Sequence, residues 1–162
     1  MTRTIRSFVA ALAATAVVAF AFASASAQAP NAHVGTWKIN LAKSKFVPGP
    51  GPQSQTVVYA AADGGLKLTA DGVDAKGAKT HSEYTAKFDG KPVAFTGNAN
   101  ADMVTIKQID PRTIESVWTL KGKATLTIRS TVAADGKSRT TMQTGTDAAG
   151  QKVNSSVVYD RQ

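Results

Sequence analysis

Short turn signals interrupt this chain at close intervals, and no other feature limits its fold so tightly. They read ADGG from Ala62, DAKG from Asp74, DGKP from Asp89, GNANAD from Gly97, DPR from Asp110, KGK from Lys121, ADGK from Ala134 and DAAG from Asp147. Asp-Gly pairs, and glycine after a polar residue, suit tight hairpin turns because those turns need positive φ. The segments between them are rich in Thr, Val, Ile and aromatics, and several alternate apolar with polar residues. Such spacing predicts an antiparallel sandwich or barrel. About ten strands are expected, near 34–41, 54–61, 66–72, 79–88, 92–97, 103–109, 113–120, 124–132, 138–145 and 151–160. No stretch after the first thirty or so residues has a helical period.

Alternation gives each strand two faces. In 124–132 one face carries Ala124, Leu126, Ile128, Ser130 and Val132, against Thr125, Thr127, Arg129 and Thr131. In 113–120 one face carries Ile114, Ser116, Trp118 and Leu120. In 79–88 one face carries Thr80, Ser82, Tyr84, Ala86 and Phe88. One dry and one wet face per strand suit a sheet closed into an all-β, up-and-down antiparallel barrel. The inward faces hold many small or hydroxylated residues, which predicts an interior with room for a small ligand. A fully packed interior is the alternative. The DAKG and DAAG turns each follow an Asp-Gly turn by one strand length, an internal echo that supports consecutive hairpins.

The first residues follow the plan of a cleaved secretory signal. Arg3 and Arg6 precede an apolar run from Phe8 to Phe22, and the small residues Ala25 and Ala27 stand at signal-peptidase spacing. Cleavage after Ala27 is expected, dividing the chain into 1–27 and a single domain over 28–162, soluble in a bacterial periplasm or secreted, with no transmembrane segment after cleavage. The chain has no cysteine, which excludes disulfides and thiol chemistry. The formal charge of +8 comes largely from lysines scattered in and beside turns. No basic run with interleaved aromatics occurs, so nucleic acid is not an expected partner.

Catalytic constellations are equally hard to find. The chain holds two histidines, His33 and His81. His33 falls in the expected N-terminal fray and His81 on a wet face, so neither a metal site nor haem is expected. No Gly-x-Ser-x-Gly elbow or triad partner occurs. Glu83 and Glu115 form a conceivable carboxylate pair, but no spacing brings them together. No catalytic residue, metal ligand or cofactor is assigned.

Between the first two strands stands KFVPGPGPQ, with Pro48, Pro50 and Pro52 separated by glycines. Proline fixes φ and removes a donor, so this run neither joins a ladder nor forms a helix. It is a semi-rigid extended strap. It is expected to cross one end of the barrel with Phe46 tucked beneath it. A proline-rich docking segment for a protein partner is the alternative.

VGTWKINL places Gly35 and Trp37 at the opening of the first strand, and VVYDR closes the chain. A Gly-x-Trp opening before meandering strands resembles the calycins, the lipocalins and fatty-acid-binding proteins. The resemblance implies that Gly35 and Trp37 close one barrel end against the last strands. Ten strands are more similar to the fatty-acid-binding branch. That branch carries two lid helices between the first strands, for which Ala42 to Gln53 leaves no room. It also ends in an Arg-x-Tyr pair that grips a carboxylate. Here Val157 precedes Tyr159 instead, and Arg161 reads as a solvated terminal side chain.

The sequence therefore favours a calycin-like binding protein, without chemistry, for a small hydrophobic or amphipathic molecule. Tyr84, Phe95, Trp118, Met142 and Tyr159 are the expected lining, with Arg129 the charge of interest if its face is internal. A secreted protein-interaction or inhibitor module with a filled core comes second. A lipocalin-like isomerase or cyclase comes third.

Overall fold

The structure is a computed structural model that describes residues 31–162. The expected signal segment 1–27 lies outside the described residues. Ten strands form one antiparallel sheet: β1 Gly35–Lys45, β2 Ser54–Ala62, β3 Gly65–Val73, β4 Lys79–Lys87, β5 Val93–Ala94, β6 Met103–Asp110, β7 Thr113–Leu120, β8 Lys123–Val132, β9 Ser138–Thr146 and β10 Lys152–Arg161. Their order is β4-β3-β2-β1-β10-β9-β8-β7-β6-β5. Each strand pairs with its sequence neighbour, except that β1 pairs with β10 and a seam separates β4 from β5. At the seam one bridge, Glu83 to Thr96, joins the edges through N–H···O bonds of 3.1 and 3.0 Å. The result is an all-β, nearly closed barrel, compatible with a calycin-like fold.

Alternation explains which side chains turn inward. In β8, Leu126, Ile128, Ser130 and Val132 are buried, while Arg129 and Thr131 between them are exposed. In β10, Ser155, Val157 and Tyr159 are buried. The buried set runs around the barrel from Trp37 and Ile39 through Leu66, Tyr84, Phe95, Val104 and Ile106 to Tyr159.

The echoed turns have the same geometry. Asp74 Oδ1 accepts N–H bonds from Lys76 and Ala78, both at 2.9 Å. Asp147 Oδ1 accepts from Ala149 at 3.0 Å and Gln151 at 2.8 Å. The two turns stand at the same end of the barrel as the strap. The opposite end holds Trp37 and the chain's last residues.

Two boundaries differ from the sequence reading. β1 runs on to Lys45 through a register shift between Asn40 and Lys45. Ser44 Oγ supports this bulge, donating to Asn40 O at 2.7 Å and accepting from Val158 N at 3.0 Å. β5 shrinks to Val93–Ala94. Pro92 before it brings no N–H. Gly97 after it has φ +73°, and its Cα presses so closely on the His81 carbonyl that a Cβ would collide with it.

Candidate functional site: a polar barrel interior beneath the proline strap

The strap crosses the mouth. Val47 holds one end: its N–H donates to Ser155 Oγ at 2.9 Å, and its carbonyl accepts from Asn154 N at 2.9 Å. Gln53 N donates to Val73 O at 2.9 Å at the other. The Phe46 ring lies flush against Gly51, where any Cβ would clash with it. Across the mouth, Asn100 Oδ1 accepts from Ala148 N at 3.0 Å, and Asn100 O accepts from Thr125 Oγ1 at 2.7 Å. Two rim loops are thus tied together.

Beneath the strap lies a cavity of about 390 Å³, bounded by Phe46 to Pro52, Trp118, Leu126 and Tyr159. A smaller pocket of about 90 Å³ lies deeper in the barrel, lined by Tyr59, Leu68, Phe95, Arg139, Thr141 and others. Gln55, Trp118, Gln143 and Tyr159 belong to both walls and stand between the two cavities. The upper cavity is of the size that small-molecule sites use.

Arg139 stands at the base of this interior and is 3% exposed. Its Nη1 donates to Tyr59 Oη at 3.1 Å and Ser130 Oγ at 3.3 Å. Its guanidinium lies 4.3 Å from the ring centre of Tyr159, 5.0 Å from Tyr59 and 5.5 Å from Trp37. Its Nε finds no hydrogen-bond partner, and no carboxylate among the described residues comes within ion-pair distance. Residues 1–30 contain neither Asp nor Glu.

Burial holds three titratable groups near Arg139, namely Tyr84, Tyr159 and His33, in their neutral forms. Burial, with the Tyr59 hydroxyl adding to it, pushes the Tyr84 phenol well above its usual range. Burial pushes Tyr159 up to about 12, against the pull of Arg139. Burial, aided by the Arg139 charge, lowers His33 to about 4. His33 is fully buried rather than frayed. Its Nε2–H donates to Ser130 O at 3.2 Å, and its carbonyl accepts from Trp37 Nε1 at 2.7 Å.

The expected lining residues divide. Phe95, Trp118 and Tyr159 line the deep pocket. Tyr84 packs edge-on behind Phe95, ring centres 5.1 Å apart, and Phe95 meets Trp118 edge-on at 5.2 Å. This aromatic stack spans the seam, where backbone pairing is thinnest. Met142 is a correction, and the condition set for Arg129, an internal face, is not met. The two are register partners across β8 and β9 on the outer face. Met142 is 41% exposed, and Arg129 pairs with Glu115 at 3.7 Å. Their outward aim follows from register: Arg139 sits opposite Val132 and Tyr159, both buried, so residues an odd number of positions along β9 face out. Glu83 and Glu115 do not meet; Glu83 pairs with Lys67 at 3.3 Å.

Gly35 and Trp37 stand at the closed end. Trp37 is fully buried, and Arg161, itself exposed, stacks on its ring at 4.2 Å. The strap prolines Pro48, Pro50 and Pro52 bound the upper cavity. Arg139 itself was missed because β9, SRTTMQTGT, is polar on both faces and offers no apolar stripe to orient it. The buried Val132 across the ADGK turn was the available signal. Compared with family models, curated proteins and solved structures, the chain finds no match.

Proposed function

We propose that the protein is a non-catalytic carrier for a small amphipathic molecule held inside the barrel, and that the secretory signal places it in a periplasm. The carrying observation is a pair of adjacent cavities inside the barrel that share Gln55, Trp118, Gln143 and Tyr159 in their walls. Kinship with the calycins fits the meander, the β1–β10 pairing and the Trp37 plug at the opposite end. Phe46, Leu126 and Trp118 offer apolar contacts to a tail, while the mostly apolar deep pocket brings Arg139, Thr141 and Gln143 to a head group. A binding role fits the titratable groups too: Tyr84, Tyr159 and His33 are all shifted away from proton exchange near neutrality. Docking of a protein on the strap has less to recommend it, because the strap's one aromatic ring, Phe46, turns onto Gly51 and leaves Val47, Pro48, Gly49 and Pro50 as the exposed residues.

Native mass spectrometry tests this reading on protein purified from its source, before and after solvent extraction. A bound mass that extraction removes is the expected result. A clean mass both times, with no uptake of added amphiphiles, would overturn it.

A further inference from the structure

We propose that Arg139 is an anion-binding subsite, and that the ligand is a carboxylate-headed amphiphile bound head-down with its tail under the strap. This rests on the carrier reading above and adds the chemistry of the head group.

A guanidinium so fully buried is costly unless something compensates its charge. Three aromatic rings supply part of that compensation through their faces. They do not supply a counter-charge, and no residue of this chain does so among those described. Both hydrogen bonds of the guanidinium leave from Nη1, toward Tyr59 and Ser130. The Nε edge is therefore the side without a partner. A ligand carboxylate on this side of the guanidinium would supply the missing counter-charge through charge-assisted hydrogen bonds.

The pocket above Arg139 is scaled to a head group. A volume of about 90 Å³ holds a carboxylate and the first carbons behind it, but not a long chain. Gln55, Thr141 and Gln143 add neutral polar groups to its wall. Trp118 also borders the wider cavity, where Phe46, Leu126 and Val157 offer apolar surface. Val157, the position at which the fatty-acid-binding resemblance would place an arginine, is apolar and buried, so the charge of this barrel sits on β9 instead.

Isothermal titration of the solvent-stripped full protein with decanoate, decanol and decyltrimethylammonium tests the inference. Charge-assisted hydrogen bonds predict decanoate binding about tenfold or more tighter than decanol, with the cation weakest. Arg139→Gln is expected to bring decanoate down to the affinity of decanol and to leave decanol within about twofold of the parent. Equal binding of decanoate and decanol by the parent protein would overturn the anion subsite and leave the carrier reading standing. So would a decanoate preference that survives in a folded Arg139→Gln. If none of the three binds, the carrier reading falls and the subsite with it. Should Arg139→Gln not fold, the order of affinities in the parent protein decides.

Discussion

Arg161 lies over the ring of Trp37, 4.2 Å from its centre, and its three nitrogens donate to the carbonyls of Gly136, Val34 and Ala32 at 2.7, 2.9 and 2.7 Å. One side chain near the C-terminus thus pins the entry to β1, the β8–β9 turn and the tryptophan plug. Arg161→Ala is expected to lower stability by about 1–3 kcal/mol, from the lost stacking and hydrogen bonds. Arg161→Lys should recover little of it, because a lysine has no fork to reach three carbonyls. Trp37→Ala should cost more, about 3–5 kcal/mol. Urea denaturation measures all three, and a neutral Arg161→Ala would contradict the pinning role.

His33 makes stability depend on pH. Its folded-state value of about 4 lies below the ordinary 6.5, so the unfolded chain takes up the proton first as pH falls. Stability contributed this way is intact above pH 6.5 and is lost progressively as pH falls toward 4. The loss amounts to roughly 3 kcal/mol at the lower end. His33→Gln should flatten the melting temperature across that interval. An unchanged slope in the variant would assign the pH dependence elsewhere.

The barrel's seam depends on one glycine. Gly97 has φ +73° and sits against the His81 carbonyl, next to the Glu83–Thr96 bridge. Gly97→Ala is expected to cost about 1–3 kcal/mol. Amide hydrogen exchange at Glu83 and Thr96 should accelerate more than exchange in β9 and β10, which are paired on both sides. Uniform acceleration would mean that the seam is not the weak line.

Most of the fold was legible because period-two alternation and Asp-Gly turns are local signals. The β8 stripe from Leu126 to Val132 and the paired Asp74 and Asp147 turns are examples. The end of β1 was not legible, because Ala42 to Lys45 has no apolar alternation and its pairing depends on the Ser44 hydroxyl reaching β10. The site was legible only in its aromatics. Met142 looked like lining because it is apolar, and Arg129 mattered only if its face were internal; both lie on the outer face. Arg139 depends on register across a hairpin, a relation between strands that composition does not carry.

That division yields a contrast in mutants. Met142→Ser and Arg129→Ala should leave binding of an amphiphile unchanged, since neither side chain reaches the cavities. Phe46→Ala removes the ring that backs Gly51 beneath the strap, and it should raise both association and dissociation rates in stopped-flow measurements. Altered affinity in Met142→Ser with unchanged rates in Phe46→Ala would reverse the assigned inside and outside of the mouth.

The most direct test uses a side chain common to both cavities. In a Trp37→Phe background the only tryptophan is Trp118, which belongs to the walls of both cavities. Titration with decanoate or decanol should change its fluorescence saturably, at one ligand per protein. A trace that stays flat with both, on protein stripped of any resident ligand, would contradict the carrier account.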